Sequence, residues 1–187
     1  MQELSLNVLD VVQNSITAGA SRILIEITED LSANLLKIVI EDNGKGMSPE
    51  TLRRVNEQFV SSRSTRKVGM GIALFRAAAE LAGGSLVVES EEGRGTRVTA
   101  RFEHDNIDRV PIGEMSETMV LLVMRAAEVD FIYRHCYNGG VYEFSTEQIK
   151  QILEDVPIDS YEVLQYIKQE IHEGLTELFG GVRDEIS

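Results

Sequence analysis

Residues 2–17 combine a nearly continuous apolar surface with one narrow polar stripe. The polar side chains recur at steps of three and four residues, and such steps place them on one face of an α-helix. The stripe consists of Glu3, Asn7, Asp10, Asn14 and Thr17. A helix with so much apolar surface is expected to be buried, where polar groups need polar partners. The pattern therefore predicts a buried helix whose stripe faces a polar site. The alternative is a peripheral helix with a stripe that faces solvent.

Alternation of apolar and polar residues follows this helix and predicts strands. It occurs in RILIEITED and in NLLKIVIEDN, so residues 22–41 are expected to form a hairpin-like pair around residues 30–34. It occurs again in SLVVESEEGRGTRVTARF, which predicts two strands joined by a glycine-rich turn at residues 92–95. Between these pairs, helices are predicted in SPETLRRVNEQF and MGIALFRAAAELAGG. The first half of the chain is thus a mixture of helices and paired strands.

The character of the chain changes near residue 105, where we expect a domain boundary. The second part predicts a helix, a hairpin turning at Asn138–Gly139, and two helices separated by Pro157. We therefore divide the chain into an N-terminal domain, residues 1–104, and an acidic helix-hairpin-helix extension of unknown role, residues 105–187. The hairpin carries five aromatic residues, for which core packing is the favoured interpretation and a partner surface the alternative. They are Phe131, Tyr133, Tyr137, Tyr142 and Phe144.

Charge is distributed unevenly between the two parts. The whole chain has a formal net charge of -13. Residues 1–104 hold 14 acidic and 12 basic side chains, whereas residues 105–187 hold 17 and 6. Such an excess of negative charge argues against nucleic acid or anionic lipid as a general partner. Residues 53–67 are the exception because they carry five basic side chains and one acid. This segment is interpreted either as a solvated basic loop or as a clamp for a small polyanion.

The remaining bulk features favour a cytoplasmic protein. No apolar run approaches the length of a membrane span, and the N-terminus lacks the features of a signal peptide. The single cysteine, Cys136, has no partner within the chain for a disulfide, which suits a reducing compartment. It also forms no nucleophile pair with His135, because neighbours on a strand point to opposite faces.

Four short motifs carry the chemical signal. In chain order they are LDVVQNSITAGAS, DNGKGM, VGMGIAL and GRGT. They match neither the P-loop pattern nor the dinucleotide fingerprint, because Leu74 stands where the third glycine of the latter belongs. Together and in this order they resemble the GHKL ATP-binding domain of gyrase, a heat-shock chaperone, histidine kinases and mismatch-repair proteins. The resemblance covers roughly residues 1–103. It implies an α/β (α+β) two-layer sandwich of the Bergerat type, with a mixed sheet, helices on one face, and ATP bound between them.

The resemblance implies a purine site around DNGKGM and GRGT. Asp42 would accept a hydrogen bond from the adenine amino group, which selects adenine because guanine presents a carbonyl oxygen there. Gly44 and Gly46 would let the backbone pass close to the base and ribose, and Met47 would cover the base. Thr96 matches the threonine that supports the aspartate. Taken alone, Asp42 is more typical of a turn aspartate, and turn chemistry explains Gly93 and Gly95 equally well.

The phosphate side is implied by the other two motifs. Asn14 matches the asparagine that holds Mg²⁺, a metal that keeps several waters and binds phosphate oxygens as well. Gly69, Met70 and Gly71 would form the helix start that offers backbone N–H groups to the phosphates. Lys67, with Arg66 and Arg63 as weaker candidates, would offset phosphate charge from a lid.

Asp10 departs from the family pattern. It precedes Asn14 by four residues and so shares its helical face. The hydrolysing branches have glutamate at this position as general base, and aspartate is one methylene shorter. Pairing with the basic lid is the structural alternative for Asp10. Thr17 also departs, because histidine kinases usually have a basic residue there.

The expected function is that of a magnesium-dependent ATP-binding protein. None of His104, His135 and His172 has the surroundings of a phosphoacceptor, and each is expected to be a surface or hairpin residue. The chain therefore resembles a histidine-kinase-like ATPase or protein kinase that acts on a separate protein, as the stand-alone anti-sigma factor kinases do. One alternative is a non-catalytic module whose ATP-ordered lid, residues 59–68, controls docking of a partner. A domain that has lost nucleotide binding is disfavoured because Asn14, Asp42 and the glycines occur together. The oligomeric state is left open.

Overall fold

The structure of the protein, a computed structural model, describes residues 2–57 and 70–180. Within these ranges the first half contains α1 (Leu4–Thr17), β1 (Arg22–Asp30), β2 (Leu35–Asp42), α2 (Pro49–Glu57), α3 (Met70–Leu81), β3 (Ser85–Glu91) and β4 (Gly95–Glu103). The second half contains α4 (Met115–Arg125), β5 (Asp130–Tyr137), β6 (Gly140–Ser145), α5 (Thr146–Leu153) and α6 (Tyr161–Leu178). Every helix and strand expected from the patterns in these ranges is present.

The six strands form one mixed sheet in the order β3-β4-β2-β1-β5-β6. Neighbouring strands are antiparallel except for β1 and β5, which pair in parallel. The predicted pair β1–β2 closes over the turn that contains Asn34, a non-glycine residue with φ 50°. The β5–β6 hairpin turns through Asn138 and Gly139, both with positive φ, which is the turn geometry that this dipeptide favours. The mixed sheet predicted from the family resemblance is confirmed.

One face of the sheet is covered by helices. Alternate residues of β1, namely Ile23, Ile25 and Ile27, are fully buried on this face. The helices lie side by side in the order α3, α1, α4, α6: α3 packs on β3 and β4, α1 on β2, and α6 on β6. The opposite face carries cross-strand ion pairs such as that of Arg134 with Glu26, at 2.9 Å. The two-layer sandwich with helices on one face is therefore confirmed.

The first helix is buried along one side only. Leu4, Val8 and Val12 have no exposed surface, as a core helix requires. Leu6, on the other side, is 51% exposed. The polar stripe is divided, since Glu3 and Asn7 are half-buried while Asp10, Asn14 and Thr17 are exposed. The stripe therefore is not enclosed within the fold as expected, because the region it faces opens to solvent.

The second part of the chain extends the same sheet. Its strand β5 pairs with β1 over eight residues, from Arg22 opposite Asp130 to Glu29 opposite Tyr137. The aromatic residues Phe131 and Tyr133 are fully buried beneath the helices, in agreement with core packing. The division of the chain after residue 104 remains a prediction. The sheet and its core run across that position.

A buried polar cluster joins the two parts of the sheet. The Glu29 carboxylate contacts His135 Nε2 through Oε1 and His104 Nε2 through Oε2, both at 2.8 Å. Tyr133 Oη lies 2.7 Å from His135 Nδ1. Glu29 and His135 are 3% and 0% exposed, so His135 is a core residue of the hairpin and not a surface one. The edge of the Phe179 ring packs against the His135 ring. The cluster around the Glu29 carboxylate thus joins strand β1, the residue that follows β4, strand β5 and the end of α6.

Cys136, the neighbour of His135, points to the open face of the sheet. It is half-buried, and burial raises the pKa of its thiol, with Glu26 adding to the effect. A thiol with a raised pKa is a poor nucleophile at neutral pH, so Cys136 and His135 form no catalytic pair. Among the described residues no helix is both long and apolar enough to cross a membrane.

Replacing Glu29 by glutamine is expected to destabilise the protein by roughly 1–3 kcal/mol, because one imidazole N–H then faces an amide donor inside the core. The free energy of unfolding from urea titration measures the effect. Glu41→Gln is the matched control, since Glu41 is an exposed strand residue paired with Arg97. It should change the stability by less than about 0.5 kcal/mol. Equal effects of the two substitutions would contradict the role assigned to the cluster.

Candidate functional site

A cavity of about 730 Å³ opens between the helix layer and one end of the sheet. Its walls come from the C-terminal half of α1, the end of β2, the loop of residues 43–48, α2, the start of α3, and the turn that leads into the start of β4. The volume lies within the range of about 300–1,000 Å³ that is usual for ligand pockets. The predicted site residues among its lining are Asn14, Asp42, Gly46, Met47 and Thr96. Residues far apart in sequence are thus brought to one cavity.

Asp42 is held rigidly at the base of this cavity. It is the last residue of β2 and is 8% exposed. Ser15 donates its hydroxyl to Oδ2 at 2.6 Å, and the backbone N–H of Gly44 donates to Oδ1 at 2.8 Å. Ionised carboxylate oxygens accept about four hydrogen bonds in all, so two sites remain for a ligand. Asp42 is therefore a positioned acceptor that faces the cavity.

Two glycines allow three backbone segments to meet around Asp42. Gly46 has φ +65°, and a Cβ there would lie 2.0 Å from the carbonyl oxygen of Glu91. Gly95 has φ +113°, and a Cβ there would lie 1.9 Å from the carbonyl oxygen of Asp42. Neither position accommodates a side chain. These glycines therefore serve the packing of the protein itself, in addition to any contact with a base or ribose.

Ser90 ties the same three segments together. Its hydroxyl donates to the carbonyl oxygen of Gly95 at 2.8 Å and accepts from the backbone N–H of Met47 at 2.9 Å. It also lies 2.9 Å from the hydroxyl of Thr96, which is the cross-strand neighbour of Asp42. The loop that carries Met47 is thereby fixed against β3 and β4, on one side of Asp42.

Asp10 and Gly71 meet at the edge of the cavity. A Cβ on Gly71 would lie 2.8 Å from Cβ of Asp10, so this glycine lets α3 approach α1 closely. Asp10 is exposed and lies one turn before Asn14, which lines the cavity. The lining residues of the cavity include neither Asp10 nor Gly71 nor Gly44. Asp10 is thus a carboxylate at the rim, beside the start of α3.

Part of the predicted phosphate site lies outside the described residues. This applies to Lys67 and Gly69, and to the weaker candidates Arg63 and Arg66. Met70 is the first residue of α3 and is 62% exposed. The roles predicted for Lys67, Gly69 and Met70 remain predictions.

The sequence patterns missed three contributors to the cavity. Ser15 lies on the buried side of α1, four residues after Val11 and three after Val12, and this spacing was the available signal. Ser90 has no pattern of its own, because its role arises from the pairing of β3 with β4 and from the loop that returns to them. Lys45 lines the cavity between Gly44 and Gly46, and its position within DNGKGM was the available signal.

The donor set fits a magnesium ion held jointly with phosphates. Residues 2–57 and 70–180 contain no group of three or more His, Cys, Asp or Glu side chains arranged to hold a metal. An all-protein cage is therefore absent from these ranges. Mg²⁺ usually binds through one or two protein oxygens, substrate phosphates and waters. The amide oxygen of Asn14, exposed at the cavity wall, is suited to such a site.

The close approach at Gly95 yields a test of the geometry. Gly95→Ala is expected to destabilise the protein by more than about 2 kcal/mol beyond Gly93→Ala, because overpacking adds to the strain of positive φ. Gly93 is the matched control, since it lies in the same turn with φ +80° and a Cβ there would meet nothing within 4 Å. Urea unfolding measures both variants, and equal losses of stability would show that the backbone contact with Asp42 is loose.

Three comparisons with known proteins agree with this geometry. Residues 2–106 match the family model described as histidine kinase-, DNA gyrase B-, and HSP90-like ATPase. The histidine protein kinase DivJ of Caulobacter vibrioides is 35% identical over 99 residues, which cover 51% of this chain and 17% of DivJ. The heme sensor protein HssS of Staphylococcus saprophyticus is 32% identical over 95 residues, which cover 50% of this chain and 21% of HssS. The matched part thus spans about a fifth of the length of these relatives.

A solved structure resembles the fold of nearly the whole chain. It is the N-terminal domain of a DNA repair protein, with a TM-score of 0.50, 17% sequence identity, and coverage of 98% of this chain and 59% of that one. At this identity the likeness concerns the fold alone. The family model matches more than half of the chain, and the matched range includes all the residues that line the cavity. The chain therefore belongs to the family of histidine kinase-, DNA gyrase B- and HSP90-like ATPases.

Proposed function

We propose that the protein binds ATP with magnesium and transfers the γ-phosphoryl group to a separate protein or, more slowly, to water. The observation that carries this proposal is the arrangement around the cavity: a buried acceptor, Asp42, at its base, with Asn14 and Asp10 on one face of the helix beside it. Membership of the ATPase family supports nucleotide binding and a kinase-like role. The metal, the acceptor and the reaction are proposals.

Asp42 would select adenine. Its two oxygens are already oriented by Ser15 and Gly44, so the carboxylate is preorganised and a ligand need not order it. An adenine amino group would donate to the free acceptor sites of Asp42, whereas the guanine carbonyl would bring a second acceptor against it. Met47 and the apolar lining residues Ile40 and Val98 would contact the purine ring.

Asn14 would hold the metal from the wall of the cavity. When bound, Mg²⁺ supplies electrostatic stabilisation of charge on the phosphate oxygens. The start of α3 lies next to Asp10, so its backbone N–H groups are near the place where the phosphates would end. Lys67 and Gly69 are proposed to complete this side from the segment that precedes α3.

Asp10 would serve as general base. Its carboxylate would accept the proton of the attacking hydroxyl group or water as the oxygen bonds to the γ-phosphorus, and ADP would leave with the bridging oxygen. Gly71 lets the start of α3 approach the Cβ of Asp10 closely, which supports a position of this carboxylate near the proposed phosphates. The shorter aspartate reaches less far than glutamate, and slow turnover is the expected consequence.

A separate protein is the proposed acceptor of the phosphoryl group. Two of the three histidines belong to the buried cluster of Glu29, at the other end of the sheet from Asp42. The third, His172, is exposed on α6. DivJ is named as a histidine protein kinase and HssS as a heme sensor protein, which supports a kinase-like role in cytoplasmic signal transduction. The matched fifth of those proteins supports the ATP-binding part of this proposal most directly.

The second candidate is an ATP-gated binding module without useful turnover. The observation that favours it is the aspartate at position 10, whose carboxylate lies at the rim of the cavity and not among its lining residues. In this case ATP would order the segment of residues 59–68 and so expose or hide a docking surface. The acidic second part of the chain would supply a face for the partner.

ATP is expected to bind more tightly than GTP by at least about tenfold, because only adenine offers a donor to Asp42. Asp42→Asn should weaken ATP binding by roughly a hundredfold, since the amide presents a donor to the adenine amino group. Isothermal titration with ATP, GTP and ADP in the presence of magnesium measures all three affinities. Asp105→Asn, an exposed acid outside the cavity, is the control and should bind as the unaltered protein does. Equal affinities for ATP and GTP would argue against the purine site.

Asp10→Asn separates the two candidate functions. If Asp10 is the base, phosphate transfer should fall by about 10²–10⁴-fold while ATP affinity changes little. The measurement uses labelled ATP, the purified chain and a lysate of its own cells, followed by counting of labelled protein and released phosphate. Asp10→Glu restores the longer side chain and should raise turnover if reach is limiting.

Gln13→Asn provides the control on the exposed side of the same helix. Unchanged partner binding by Asp10→Asn, with no turnover in the unaltered protein, would favour the gated module. The absence of a labelled partner and of released phosphate would count against the catalytic proposal.

A further inference from the structure

The outward face of α3 is apolar, where a surface helix normally carries polar residues. Met70, Leu74 and Leu81 are 62%, 49% and 64% exposed, and Ala77 is exposed with them. These four residues, here called the α3 stripe, recur at steps of four, three and four. The same helix already buries a separate side, formed by Ile72, Phe75 and Ala79, in the core. The α3 stripe is therefore additional apolar surface that residues 2–57 and 70–180 leave uncovered.

The spacing of the α3 stripe suits packing against a second helix. Steps of four and three residues form the seam by which helices pack in pairs. If two copies of α3 pair antiparallel about a twofold axis, Met70 of one copy faces Leu81 of the other. In the same register Leu74 faces Ala77, so a large side chain meets a small one. The middle of the stripe is thus complementary in size to itself.

The position of α3 in the molecule also suits association with a second copy. It covers β3 and β4 at one edge of the sheet, whereas α6 packs on β6 at the other edge. The excess of acidic side chains lies in residues 105–187, with 17 acids and 6 bases, while residues 1–104 have 14 and 12. Pairing through α3 therefore keeps the two strongly acidic parts far apart, where salt screens their repulsion.

We propose that the α3 stripe is the contact surface of a weak homodimer of this chain. Four side chains bury less area than a standard interface of about 800 Å² per partner, so the dimer should dissociate at micromolar to submillimolar concentrations, on the order of 10–100 µM.

The dimer would also border the proposed catalytic edge. Gly71, which packs on Asp10, is the neighbour of Met70 and precedes Leu74 by one turn. A second copy on the α3 stripe would therefore narrow the approach to Asp10. This consequence, unlike the dimer itself, depends on the proposed function.

Sedimentation velocity of the purified chain tests the proposal without any ligand. The mean mass should rise from monomer toward dimer between about 5 µM and about 500 µM. Leu74→Asp places a charge in the seam and should weaken association at least about tenfold. Leu31→Asp is the matched control, because Leu31 is 45% exposed in the β1–β2 turn. It should associate as the unaltered chain does.

Three outcomes would overturn the proposal. The first is a monomer at every concentration, which would mean that the stripe binds no second copy and is a surface for a different protein. The second is a dimer unaffected by Leu74→Asp, which would place the contact elsewhere. The third is an equal loss of association in Leu31→Asp. Thermal unfolding checks that Leu74→Asp is folded, and Leu81→Asp serves in its place if it is not.

Discussion

The site depends on the burial of one carboxylate at the end of a strand. Asp42 is almost fully covered, and its oxygens are fixed by a hydroxyl from α1 and a backbone N–H from the following loop. A buried charge is tolerated only when hydrogen bonds compensate for lost water. Ser15 and Gly44 supply that compensation, and the Ser15 bond also ties the first helix to the end of β2. The cavity is the space left between these fixed elements.

Glycine and serine hold the rest of the cavity in register with Asp42. Gly46 and Gly95 permit backbone approaches that any side chain would prevent, and Ser90 joins the segments across those approaches. Polar side chains and close backbone contacts thereby hold the side of the cavity around Asp42 in one geometry. At the opposite rim Asp10 meets the start of α3 across Gly71, and the packing of α3 on α1 sets the position of the base proposed there.

Much of the fold was predictable because its patterns are local. Alternation predicted the strands, and steps of three and four predicted the helices, since each follows from backbone geometry. The order of the motifs also predicted that Asn14, Asp42, Met47 and Thr96 belong to one site, and in the structure all four line one cavity. Ser90 escaped prediction because its contacts depend on which strands pair and where a loop returns. The burial of His135 was not predicted for a similar reason. Only the parallel pairing of β1 with β5 brings the Glu29 carboxylate within hydrogen-bond distance of His135.

That parallel pairing has a consequence for how the chain is divided. The family match ends at residue 106, yet β1 is an interior strand only because β5 lies beside it. A fragment that stopped at the end of the match would present β1 as a free edge with unpaired backbone groups. The isoleucines of β1 would then border solvent, and the free edge would be open to pairing with a strand of another molecule. The acidic C-terminal half therefore also covers the edge of β1, and by doing so it protects the nucleotide-binding half from association through that edge.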